Sequence, residues 1–253
     1  MYGPDQDRGR PDNVFGRQLT ALEQSQLPYA ASQAANKVAY EIRERWKRQA
    51  PRVFDRPTPL TVNAAMYRKA TKAQPYAEIY LRDEAFKGTP PAKYLLAEVD
   101  GGQRRRKGFE RLLQSRGLLS PTQFAVMGRG AQANQYGNVP AGQVTKILSQ
   151  LGAQRDRYQN ETSVSRKRRR GKGNNRDGEY FVITKRRGVL RPGIYERIGR
   201  GSGVRSIFIF TNTAAYTPRY NIFGMAEDTW KRLMPFFLKR ELEKAMETAR
   251  PLP

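Results

Sequence analysis

The 253-residue chain has no histidine and no cysteine, so any chemistry falls to carboxylates, lysine, serine and tyrosine. Without cysteine there is no disulfide frame, no thiolate nucleophile and no cysteine-based zinc or iron–sulfur centre. Without histidine there is no Ser-His-Asp triad, no imidazole base and no ordinary transition-metal site. Asp83, Glu84, Glu98 and Asp100 lie near one another in sequence and invite a magnesium or acid–base reading. No second motif supports it, and scattered carboxylates in so basic a chain read as surface ion pairs. Gly199-Arg200-Gly201-Ser202-Gly203 imitates a phosphate-cradling loop, but a P-loop ends in Gly-Lys-Ser/Thr at a helix N-terminus. This loop joins two strand-like runs and reads as a hairpin turn, as does Gly128-Arg129-Gly130. The expectation is a protein with no enzymatic activity, no cofactor and no metal.

Charge is the stronger signal. Lysine and arginine number 47 against 23 acidic residues, a formal net charge of +24. Self-repulsion of that size favours association with a polyanion, of which nucleic acid is the commonest. The densest run is Arg166-Lys167-Arg168-Arg169-Arg170-Gly171-Lys172. On its own it reads as a phosphate contact, a solvated loop or an address signal. Arg104-Arg105-Arg106-Lys107 and Lys185-Arg186-Arg187 invite the same reading. A membrane surface is disfavoured, since no helix pairs a basic face with a bulky apolar one. No apolar run approaches the ~20 residues of a membrane span, and residues 1–13 lack the apolar core of a secretory signal. A soluble, cytoplasmically made protein is expected.

The elements that must position these charges follow from periodicity. Residues 14–27 place Phe15, Leu19 and Leu22 on one helical stripe, and 1–13 read as a flexible arm. Pro28 suits a first helical position, after which Ala30, Ala34, Val38, Ile42 and Trp46 recur every fourth residue until Pro51 closes the helix. Thr58-Pro59 reads as an N-cap and first turn. Residues 64–71 and 75–83 alternate like strands, with Lys72-Ala73-Gln74 as the turn, and 88–102 read as an irregular connection with one short strand. Two short helices follow, one with Phe109, Leu112 and Leu113 inward, the other opened by Pro140. Residues 154–177 contain almost nothing apolar and read as a disordered loop. Strand signals return at 178–184, 192–198 and 204–211. Tyr195, Phe208, Phe210, Tyr216 and Tyr220 read as core rather than a base-stacking platform. A helix over 224–249 closes the chain, with Pro235 inside it. Its Met225, Trp230, Leu233, Phe236, Phe237 and Leu238 exceed what one small sheet covers, so an oligomer or partner contact is expected there.

The expected fold is α+β: a long N-terminal helix, a sheet of about five antiparallel strands and a C-terminal helix. The expected core comprises 14–100 and 179–250, with 101–178 inserted between strands. The segments ASQAANKVAYEIRER, RKATKAQPYAEIYLRD, GVLRPGIYERIGRG with IFIFT, and AEDTWKRLMPFFLKRELEKAMETAR, in that order, resemble tailed-bacteriophage proteins of the minor tail protein Z, or tail-completion, group. The resemblance covers about 14–85 and 178–250. The block GFERLLQSRGLLSPTQFAVMGRGAQANQYGNVPAGQVTKILSQL (108–151) also resembles uncharacterised phage and prophage structural proteins. The resemblance implies a virion structural protein at the head–tail junction or upper tail, a ring of subunits around the DNA channel. It assigns no active-site residues. A free-standing nucleic-acid-binding protein is the alternative that explains the charge equally well.

Overall fold

The computed structural model describes residues 26–86, 88–199 and 201–248. The arm over 1–13 and nearly all of the helix expected over 14–27 lie outside them. The first half comprises α1 (Leu27–Val53), α2 (Pro59–Val62), β1 (Ala65–Arg68), β2 (Glu78–Leu81), α3 (Pro91–Val99), β3 (Gly102–Gln103), α4 (Gly108–Ser115) and β4 (Phe124–Met127). The second comprises α5 (Ala141–Gln150), α6 (Ser163–Arg170), β5 (Tyr180–Ile183), β6 (Gly193–Ile198), β7 (Gly203–Thr211), β8 (Ala215–Tyr216) and α7 (Ile222–Thr248). The mixed α+β class, with a long helix at each end, is the one expected.

The chain divides into two compact units. Among the described residues, the first contains those of 26–93 and 219–248, the second those of 94–218. This differs from the division drawn from sequence. Residues 101–178 are not an appendage to one core, because β4 lies within them and forms the edge of the main sheet.

In the first unit, small side chains decide the packing. Ala30, Ala34, Ala35, Val38, Ala39, Ile42, Trp46 and Ala50 of α1 are all buried, so a neighbouring backbone can approach closely. That neighbour is α7, running antiparallel. Lys37 pairs with Glu241 at one end, and at the other Arg45 Nη1 donates to the Met225 carbonyl and Thr229 Oγ1 at 3.0 and 2.8 Å. The Tyr220 hydroxyl donates to the Trp46 carbonyl at 2.9 Å, and burial pushes its pKa up to about 12. Pro51 sits inside the last turn of α1, which runs on to Val53 rather than closing at the proline. Thr58 caps α2 as its sequence indicates, its Oγ1 accepting from the Thr61 N–H at 3.2 Å. The β1–β2 hairpin pairs Ala65 with Leu81 through Arg68 with Glu78. Asn36 of α1 clamps it, donating to the Ala70 carbonyl at 3.0 Å and accepting from the Ala70 N–H at 2.7 Å.

Residues 91–99 form the helix α3, where an irregular connection with a strand was expected. A GTPP sequence signals a break, yet Pro91 occupies the first helical turn, where a fixed φ and a missing N–H favour the helix. The Tyr94, Leu95, Leu96 and Ala97 that follow are acceptable or good helix formers.

In the second unit the strand order is β4-β7-β6-β5, antiparallel throughout, and β3 pairs with β8 in a separate ladder. Phe208 and Phe210 of β7, Ile194 of β6, Tyr180 of β5 and Ala125 of β4 meet Leu113 of α4 and Ile147 and Leu148 of α5 in the core. Gly193 permits close strand approach, since a Cβ there would stand 2.3 Å from the Phe208 carbonyl oxygen. Gly128-Arg129-Gly130 is not the expected hairpin turn. It continues alongside β7, Gly128 and Gly130 N–H groups donating to the Ile207 and Ser206 carbonyls at 2.8 and 3.0 Å. The 199–203 loop does join β6 to β7, pairing Ile198 with Gly203.

Candidate nucleic-acid interface

Six cations in seven residues repel one another, so the order of residues 163–170 requires compensation. Two carboxylates outside the run supply it. Glu161 accepts from Arg169 at 2.8 Å and from Arg166 at 3.3 Å. Glu179 accepts from Arg170 at 2.7 Å and from Arg176 at 3.0 Å. Thr162 and Ser165 form a reciprocal cap, each side-chain oxygen accepting the other's backbone N–H at 3.1 and 2.9 Å. Gly171, at φ +63°, terminates α6, and the cations of its last turn suit the negative end of the helix dipole. Residues 154–177 are therefore not the disordered loop expected from composition. The counter-ions lie outside the run, on either side of it, so composition within the run does not show them.

These pairs hold both carboxyls in their charged form. The Arg169 guanidinium, then that of Arg166, keeps Glu161 below the usual carboxylate range. Burial by itself would raise Glu179, but Arg176 and Arg170 bring it down to about 2. Because the folded value is depressed, Glu179 contributes its full stabilisation above the unfolded value near 4.5 and loses it as pH falls toward 2. Urea unfolding should lose on the order of 2–3 kcal/mol across that window. Glu179→Gln should flatten this acid limb. An unchanged limb in the variant would contradict the assignment.

The ion pairs sort the candidate contacts. Arg166, Arg169 and Arg170 are engaged by carboxylates, whereas Lys167, Arg168 and Lys172 are exposed and form no ion pair among the described residues. The 104–107 cluster is divided more sharply. Arg104 is bidentate to Glu110, at 2.5 and 3.0 Å, and Glu110 is fully buried. The Glu110 carboxylate also accepts the N–H groups of Lys107 and Ala125 at 2.7 and 2.8 Å. Burial opposes ionisation of Glu110, but Arg104 and these two N–H groups hold it below its ordinary pKa. Arg106 donates to the carbonyls of Gln123, at 2.7 Å, and Pro121. Arg104 and Arg106 are thus fold-holding residues, a correction to their expected place on nucleic acid. Arg105 and Lys107 stay exposed.

Lys185, Arg186 and Arg187 are exposed on the turn joining β5 to β6, where Arg187 and Leu190 exchange backbone bonds at 3.0 Å. Glu179, which anchors α6, precedes β5, and Lys185 follows it. The two cationic segments thus lie at opposite ends of β5 in sequence. Phosphate contact needs no preformed pocket, and exposed cations of this kind are suited to backbone rather than base edges.

The remaining candidates also find their places. Tyr195, Phe208, Phe210 and Tyr220 are buried, as core packing requires, whereas Tyr216 on β8 is exposed and is not the core residue expected. Among the described residues no three carboxylates gather as a metal site. No described helix is long and apolar enough to cross a membrane. On α7, Trp230 and Phe236 are 45% and 59% exposed, while Met225, Leu233, Phe237 and Leu238 are half-buried. Sequence reasoning missed Glu161 and Glu179 as the organisers of the basic cluster. The available signal was their placement just outside a run with no internal acid.

Comparison with known protein families, curated proteins and solved structures finds no match.

Proposed function

We propose that the chain is a structural protein of a tailed-bacteriophage virion, acting in tail completion or the neck, at the head–tail junction or upper tail. It assembles as a ring around the DNA channel and meets DNA backbone through its exposed cations. Before assembly it resides in the host cytoplasm. The observation that supports this reading best is α7: one face packs on α1, yet Trp230 and Phe236 remain open to solvent on the same helix. Large aromatics exposed on a helix are suited to a contact with a neighbouring subunit or ring. The net charge of +24 and the free Lys167, Arg168 and Lys172 fit a subunit beside packed DNA. The resemblance of the terminal helices and strand pairs to tail-completion proteins points the same way.

The second reading is a free-standing protein that binds DNA or RNA without regard to sequence, and the same unpaired cations favour it. Light scattering of the purified chain separates the two. A ring-sized species, lost in a Trp230→Ala/Phe236→Ala variant that remains folded, is expected from the first reading. A monomer at every concentration, alone and with phage neck or tail proteins, supports the second.

A further inference from the structure

The helix–hairpin unit contains a half-enclosed cavity of about 200 Å³, room for about six waters. Arg43, Glu44 and Lys47 of α1, Asn63 after α2, Met66 of β1 and Arg82 after β2 line it. Three cations from two separate parts of the chain thus face a single carboxylate. Glu44 answers one of them: Arg43 Nε and Nη2 donate to its Oε1 at 3.0 and 2.5 Å. The same guanidinium lies 4.8 and 5.7 Å from the ring centroids of Tyr40 and Tyr67, which fixes its direction.

Lys47 and Arg82 form no ion pair among the described residues. Arg82 is held by its backbone, its N–H donating to the Ala64 carbonyl at 2.7 Å and its carbonyl accepting from Ala92 at 3.0 Å. Its Nη2 reaches only the weak acceptor Met66 Sδ, at 3.4 Å, and its buried Nε has no protein acceptor. A buried guanidinium donor without an acceptor is costly; Arg82 shares this state with Arg169, Arg170 and Arg197, and it lines a cavity. An anion with several oxygens accepts from such donors in more than one direction and also answers their charge, which a neutral molecule does not.

We propose that this cavity is an oxyanion site that takes one phosphate group, with Lys47 and Arg82 as its principal donors and Arg43 as a fixed flank. The site belongs to the helix–hairpin unit and is independent of the α6 cluster, so its failure leaves the reading of that cluster untouched.

Inorganic phosphate titrated calorimetrically into the full chain in chloride buffer should bind saturably. Lys47→Gln should weaken that binding at least tenfold. Lys47 is exposed on α1, so the variant should keep its circular dichroism and melting temperature. Lys47→Gln/Arg82→Gln should remove binding, while Lys167→Gln/Arg168→Gln should leave it intact and so exclude a general effect of net charge. Acetylation of Lys47 then identifies the source of the group. Protection by a 20-base-pair duplex, relieved by inorganic phosphate, assigns a nucleic-acid backbone phosphate. Protection by inorganic phosphate alone assigns a small free oxyanion. Absence of saturable binding in the unaltered chain, or equal affinity in Lys47→Gln, overturns the site.

Discussion

Replacing Glu110 by alanine should destabilise the protein by about 3–5 kcal/mol, the largest loss expected from any single polar substitution in the chain. The Glu110 carboxylate is fully buried and accepts four bonds, two from Arg104 and one each from the Lys107 and Ala125 N–H groups. Removing it leaves the Arg104 guanidinium, only 10% exposed, without its counter-charge. It also orphans two backbone donors, one at the start of α4 and one on β4. The two elements are thereby joined by one side chain, so the edge strand of the main sheet should loosen together with α4. Arg104→Met/Glu110→Leu should recover much of the loss, because replacing both charges with apolar groups of similar volume removes the unpaired ion. Chemical denaturation of the three proteins checks this. Equal stability of Glu110→Ala and the unaltered chain would show that the pair contributes nothing.

That residue also marks where the sequence stopped being legible. The helical and strand periods of α1, β1, β2, β5, β6 and β7 are local, since each is set by which face of the element is apolar. The Thr58 cap is local too. Glu110 is not: in GFERLLQS it reads as an ordinary first-turn carboxylate, and nothing nearby states that β4 will fold over it. The 163–170 helix was hidden for a related reason. Its cap uses serine rather than glutamate at the third position, and its charges are compensated by residues before and after the run. Reading a charge run alone gives repulsion, and repulsion gives disorder. The division into units was missed because β4 is only four residues long, too short to compete with the helical patterns around it. The candidate site was therefore legible as a list of cations but not as a choice among them. That choice depends on which carboxylates fold reaches.

Replacing Lys167, Arg168 and Lys172 together by alanine should flatten the salt dependence of DNA binding by about two to three log–log units, at roughly 0.9 units per phosphate released. All three are exposed and lack ion pairs among the described residues, so the fold should be unchanged within about 0.5 kcal/mol. Arg169→Ala/Arg170→Ala makes the contrasting case. These guanidiniums hold Glu161 and Glu179, so their loss should lower stability and reduce the salt slope much less. Duplexes of different sequence should bind the unaltered chain equally, because phosphate contact carries no base information. Binding that ignores salt, or a triple variant that binds as before, would assign these cations to an acidic protein surface instead.

The proposed place in the virion is tested most directly by cryo-electron microscopy of tailed particles produced by the genome that encodes the chain. The expected map contains several copies as a ring at the head–tail junction or upper tail. Trp230 and Phe236 should be covered by a neighbouring subunit or ring, and Lys167, Arg168 and Lys172 should face the DNA channel. Complete, DNA-filled particles that lack the chain altogether would contradict the proposal.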